Sequence, residues 1–141
     1  MPGKTFELSL VTPEGAAFEG EVEMLVVPGD AGEIGVLARH APLIAMLKAG
    51  STRIYRDRDS GEVVEFATGA GFFKVEQDRA LALVEDAVSA RDIDASRAQE
   101  QLDTARADLE RLESGDSDAD RWQLEQRVRH AENQLTVAAG D

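Results

Sequence analysis

Apolar positions alternate along the first part of the chain and recur every three to four residues along the last part. Phe6, Leu8 and Leu10 are separated by polar neighbours, the period of two that a half-buried strand requires. Pro13-Glu14-Gly15 then supplies a turn. Further apolar runs occupy Val22 to Val27, ended by Pro28-Gly29, then Ile34 to Leu37 and Leu43 to Leu47. Ile54-Tyr55 and Val63 to Phe66 flank the charged turn Asp57 to Gly61, a hairpin signal. Gly69-Ala70-Gly71 introduces Phe72 to Val75. Gln77-Asp78-Arg79 turns the chain into Ala80 to Val84, where Leu81 and Leu83 alternate with alanine. Many short strands at near-regular spacing predict an all-β sandwich or flattened barrel over residues 1–88.

The pattern changes near Ser89, and residues 89–141 read as a second, helical domain. Glycine and aromatic residues thin out, and Ala, Glu, Gln, Arg and Leu, strong helix formers, take over. Asp92 is the expected N-cap. Ala98, Leu102, Ala105, Leu109 and Leu112 then follow a four-three spacing that makes one apolar stripe. Ser114 to Asp118 breaks the helix, with Gly115 as C-terminal cap and Ser117 as the next N-cap. Leu124, Val128, Ala131, Leu135 and Ala138 repeat the stripe, so two antiparallel helices face each other. Four of these ten positions are alanine, which buries little area. Trp122 is expected to pack.

Composition narrows the function. The formal net charge is −13, which disfavours nucleic acid and anionic membrane surfaces as partners. The chain has no cysteine, which removes disulfides and thiolate metal sites. No apolar run approaches the roughly 20 residues of a membrane span, and the N-terminus does not read as a secretory signal. His40 and His130 are the only histidines and read as surface residues, not metal ligands. No nucleophile with a base and an orienting group can be identified, so catalysis by this chain alone is not expected.

The most distinctive segment is Pro28-Gly29-Asp30-Ala31-Gly32-Glu33-Ile34-Gly35, which leads into His40-Ala41-Pro42-Leu43-Ile44. Glycines at 29, 32 and 35 suit a backbone that turns sharply and then runs extended. It is not a phosphate loop, because no Gly-Lys-Ser/Thr follows at a helix start. On the residues alone a free-standing adaptor stays open, its hairpin zipping with a partner coiled coil.

With the glycine segment, the His-Ala-Pro turn, Thr68-Gly69-Ala70-Gly71-Phe72-Phe73 and the terminal hairpin in this order, the chain resembles the epsilon subunit of the rotary proton-translocating ATP synthase, bacterial type. The likeness covers nearly the whole length. One departure is Ala38, where the family often has proline. The resemblance implies a ten-stranded β-sandwich followed by an antiparallel two-helix hairpin. It implies a non-catalytic central-stalk (rotor) subunit that couples proton translocation to ATP synthesis, peripheral on the cytoplasmic side of the plasma membrane. By resemblance, Asp30, Ala31, Gly32 and Glu33 meet the ring of c subunits, and His40, Ala41 and Pro42 meet the gamma subunit.

The hairpin of many members reaches the catalytic alpha and beta subunits and inhibits hydrolysis. From Asp92 onward this chain has six Arg, no Lys and thirteen acids, a balance that weakens attraction to an acidic target. No cofactor is implied beyond ATP as a regulatory ligand, which some bacterial relatives bind. Ile93, Asp94, Arg97 and Ala98 match the start of that motif. Further on, Thr104, His130 and Gln134 stand where arginines are expected. A helix cap at Asp94 with Arg97 one turn later is the other reading of the same residues.

Overall fold

The computed structural model describes residues 4–113 and 121–139. The chain divides into two compact units, Met1–Ala90 and Arg91–Asp141. Ten strands are described in the first: β1 Phe6–Thr12, β2 Gly15–Val22, β3 Met24–Gly29, β4 Gly32–Leu37, β5 Leu43–Leu47, β6 Gly50–Tyr55, β7 Val64–Thr68, β8 Gly71–Glu76, β9 Arg79–Val84 and β10 Ala87–Ser89. They run in the order β10-β7-β6-β3-β5-β8-β9-β1-β2, with β4 on the free side of β3. One half is β3, β4, β6, β7 and β10; the other is β5, β8, β9, β1 and β2. The halves are joined in register only where Gly29 of β3 meets Leu47 of β5. Folding at that joint makes the sandwich. Leu25, Val27, Ile54 and Phe66 from one half pack with Leu8, Leu10, Phe73 and Val75 from the other.

The alternation at Phe6, Leu8 and Leu10 is borne out, since all three are buried. The hairpin around residues 57–61 is also present, as β6 and β7 pair antiparallel. The run from Val22 to Val27 is divided: Val22 closes β2, Glu23 lies at a bend and Met24 opens β3. Pro28-Gly29 does not end the strand but completes it. Proline lacks an N–H, but its carbonyl still accepts the Lys48 N–H at 2.9 Å. Strands β2 and β10 carry no clean period. In β2 only Phe18 and Val22 are buried, because β2 is a sheet edge whose outward Glu19 and Glu21 face solvent. The buried polar residues Glu23, Thr52 and Thr68 are hydrogen-bonded: the Thr52 and Thr68 hydroxyls pair at 2.9 Å, and Glu23 accepts the Arg58 N–H at 3.0 Å.

A 3-10 turn, Ala90–Asp92, spans the boundary; in the second unit α1 is Ala95–Glu113 and α2 is Arg121–Ala138. The N-cap is Asp94 and not Asp92. The Asp94 carboxylate accepts the Arg97 N–H at 3.1 Å, while Asp92 belongs to the 3-10 turn. The expected break and caps at Ser114 to Asp118 lie outside the described residues. Glu113–Arg121 (3.2 Å) joins the end of α1 to the start of α2, and Arg106–Glu132 (3.4 Å) pairs an earlier residue of α1 with a later one of α2, so the helices are antiparallel. Arg111 and Asp108 pair along α1. Ala98, Leu102, Ala105, Leu124 and Ala131 are buried as the stripes require. At the end of α2 it is Val137 that is buried, whereas Ala138 is exposed. Trp122 is also a correction: it is 59% exposed and outside the helical core.

The β8–β9 connection holds strain. Gln77 and Asp78 have φ of 51° and 59°, both left-handed, in a two-residue turn closed by Glu76 opposite Arg79. Neither residue is glycine, and each left-handed position costs roughly 1 kcal/mol. Gln77→Gly should stabilise the chain by about 0.5–1 kcal/mol, read from the urea midpoint. An unchanged midpoint would mean that the turn stores no strain at this position.

Candidate functional site

The glycine segment forms a tip. β3 and β4 pair antiparallel with Gly29 opposite Gly32, leaving Asp30 and Ala31 as the two-residue turn. Each glycine has a different reason. A Cβ on Gly29 would come within 2.8 Å of the Gly32 carbonyl oxygen, so the strands close only without one. Gly32 has φ +138°, where side chains are rarely tolerated. Gly35 sits in open space with ordinary backbone, and nothing in the fold requires it. Two backbone bonds fasten the tip to β5: the Asp30 N–H donates to the Met46 carbonyl at 3.0 Å, and the Lys48 N–H to Pro28 at 2.9 Å.

Asp30, Ala31, Gly32 and Glu33 are therefore gathered on one exposed turn. Between this turn and β5 lies a hollow of about 350 Å³, bordered by Asp30, Glu33, Ile34 and Met46. Its polar rim is acidic and its lining includes the exposed thioether of Met46. The two acids differ. Glu33 is engaged by Arg53 of β6 at 3.1 Å. The Arg53 guanidinium has a raised pKa: burial works against its charge, but the Tyr55 side chain and the Glu33 carboxylate outweigh that. Sequence reasoning missed Arg53, because only the strand register brings residue 53 beside residue 33.

His40, Ala41 and Pro42 occupy the β4–β5 loop. That loop is at the other end of β4, roughly 20 Å from the tip at about 3.3 Å per residue. The tip and the His-Ala-Pro turn are thus two separate sites. Arg39 has φ 64°, and its N–H donates to the Asp78 carboxylate at 2.5 Å, pinning the loop to the β8–β9 turn. The His40 Nδ1–H donates to the Ala41 carbonyl at 2.6 Å. Beyond Pro42, Ile44 is 65% and Met46 59% exposed. Register places Met46 opposite Phe72 and Phe72 opposite Leu83, itself 43% exposed. A sheet face normally turns polar groups to water, so this exposed apolar row stands out from the rest of the face.

The second unit carries a cleft between α1 and α2 of about 620 Å³, bordered by Arg97, Glu100, Thr104, Arg127, His130 and Gln134. Of the four motif residues, Arg97 borders it. The Asp94 carboxylate caps α1, Ala98 is buried and Ile93 is half-buried. Arg127, not singled out from the sequence, adds a second guanidinium to the cleft. Among the described residues no group of three His, Cys, Asp or Glu could hold a metal ion.

The fold is a two-layer sandwich followed by a helix pair, with its distinctive residues on a tip, a loop and an interhelical cleft. Residues 5–90 match the family model of the ATP synthase delta/epsilon chain β-sandwich domain. The chain is 35% identical over 135 residues to the ATP synthase epsilon chain of Desulforamulus reducens, covering 96% of this chain and 98% of that one. It is 37% identical to that of Staphylococcus aureus, covering 95% and 96%. In fold it resembles a chain of the Euglena gracilis mitochondrial ATP synthase (OSCP/F1/c-ring) with a TM-score of 0.74 at 22% identity, covering 99% and 83%. A chain of the Tetrahymena thermophila mitochondrial ATP synthase central stalk/c-ring gives 0.55 at 14%, covering 99% and 97%. The chain belongs to the ATP synthase delta/epsilon chain family, and its similarity to the epsilon chains spans both units.

The glycines give a direct test. Gly29→Ala should destabilise the sandwich by about 1–3 kcal/mol, since overpacking at a close backbone approach forces a shift. Gly35→Ala should leave the thermal midpoint unchanged. Equal effects would refute the division of roles.

Proposed function

We propose that this chain is the non-catalytic central-stalk subunit of a bacterial ATP synthase, coupling proton translocation to ATP synthesis. The single observation that carries this reading is the end-to-end similarity to epsilon chains, over 96% of this chain. The surfaces agree with it in kind. In this reading the tip of Asp30, Ala31, Gly32 and Glu33 meets the ring of c subunits, whose exposed loops are polar. His40, Ala41 and Pro42, continued by Ile44, Met46 and Leu83, meet the gamma subunit, with apolar contact supplying most of the affinity. The subunit is peripheral, on the cytoplasmic side of the plasma membrane. No helix among the described residues is long and apolar enough to cross a membrane. Domain roles divide at about residue 88: the sandwich couples, and the hairpin restrains hydrolysis through the catalytic subunits.

Two assays on the assembled enzyme test this. The full chain should copurify with gamma, and a chain ending at Ala90 should still bind it. ATP hydrolysis should rise on that truncation. Failure of the sandwich to bind gamma would refute the rotor reading, while an unchanged rate would leave coupling as the only role.

A second reading is favoured by the convergence of Arg97, Arg127 and His130 on one cleft. Two guanidiniums and an imidazole suit phosphate oxygens, so the cleft takes ATP as a regulatory ligand. Titration of the purified full chain with ATP should give saturable binding, weakened at least about tenfold by Arg97→Ala or Arg127→Ala, as expected when a charge-assisted contact is lost. Binding insensitive to both substitutions would exclude the cleft.

A further inference from the structure

We propose that Arg53, on β6, is a positioning residue of the glycine tip: it fixes the Glu33 carboxylate where a basic, hydrogen-bond-donating loop of a partner can engage it. The inference rests on the ring-facing reading of the tip and deepens it. Arg53 lies opposite Val26 of β3, and Glu33 lies opposite Pro28 of the same strand. The ion pair therefore crosses β3, from its neighbour on one edge to its neighbour on the other. Val26 and Pro28 share the face it crosses. Val26 is only 8% exposed although it lies outside the interlayer core cluster, as expected of a residue on the outer face beneath a crossing side chain. Tyr55, two residues on in β6 and so on the same face, also favours the charged form of Arg53.

The pair is half in solvent. Side-chain exposure is 32% for Arg53 and 58% for Glu33, so its contribution to folding is small. Its geometric effect is larger than its energetic one. A free glutamate samples many rotamers and loses them on docking. Here Glu33 is already restrained in the isolated protein, which lowers the entropy lost on association. Arg53 engages Oε2, and a carboxylate has room for further donors, so the group still has acceptor capacity toward a partner. Asp30 beside it has its backbone N–H committed to Met46, so both acids of the rim stand on a fixed backbone.

Binding of the full chain to a purified gamma–c-ring subcomplex in detergent tests the inference, with thermal melting of the free chain as control. Glu33→Gln and Arg53→Met should each weaken binding about tenfold, and the double variant no further, because coupled residues are not additive. Melting points should stay near the wild-type value. The charge swap Arg53→Glu with Glu33→Arg should keep the melting point and leave binding weak. Three results would overturn the inference: wild-type affinity in Arg53→Met, losses that multiply in the double variant, or full binding by the swapped pair. Where Arg53→Met melts early, Arg53→Lys, which keeps charge without the planar fork, replaces it, with a few-fold loss expected. A wild-type chain that does not bind the subcomplex would remove the parent reading as well, which separates the two failures.

Discussion

The sandwich depends on one crossing. Its ten described strands form a continuous hydrogen-bonded sheet, and that sheet passes from one layer to the other where Gly29 pairs with Leu47. A sheet can fold over on itself only where the backbone is free of side-chain bulk and the flanking polar groups are still paired. Gly29 brings no side chain to the joint, and a Cβ there would also strike Gly32 and Ile34 of β4. The Asp30–Met46 and Lys48–Pro28 bonds meet the second. The interlayer core follows from this joint, because Val27 and Leu47 are buried on either side of it. The glycine segment therefore serves architecture first, and the exposed turn beyond it is a by-product available for recognition.

β4 then sets the spacing of the two candidate contacts. Its first residues belong to the tip, and its last precedes the loop holding His40, Ala41 and Pro42. A paired strand transmits position with little give, so the two surfaces are held at a fixed separation. The loop is further restrained by the Arg39–Asp78 bond. Such a part can be gripped at one end and bear on something else at the other, as a coupling role in a rotating assembly requires. The apolar row from Ile44 to Leu83 begins beside the loop and runs over three strands.

Legibility in the sequence followed locality. The buried alternation in β1 and the helical stripes were readable because each element's own period records its burial. β2 was not, since an edge strand buries only Phe18 and Val22 and shows no alternation. Pro28 looked like a terminator because its effect depends on whether its missing N–H faces a neighbour, which the sequence does not state. The N-cap was placed two residues early, as Asp92 and Asp94 are chemically equal and only the start of α1 distinguishes them. At the tip, the sequence showed Asp30 and Glu33 as alike. Arg53, twenty residues on, makes them different, and that depends on register. The cleft likewise joins Arg97 to Arg127 across thirty residues.

The two units rest on different physics. The sandwich core contains Phe73, Leu8, Leu10, Leu25 and Ile54, each fully buried. The helix pair buries Ala98, Ala105 and Ala131, with Leu102 and Leu124 as its larger contributors. Replacing a buried leucine by alanine removes about 2 kcal/mol of transfer free energy, so an alanine-rich seam gains correspondingly little on closing. What supplements it lies at the surface: Arg106–Glu132 and Glu113–Arg121 are half-exposed ion pairs, each contributing at most about 1 kcal/mol. A unit of low closing energy can be rearranged by modest differential binding from a partner or ligand. A fixed contact module followed by an easily rearranged one is the division of labour that coupling and regulation need.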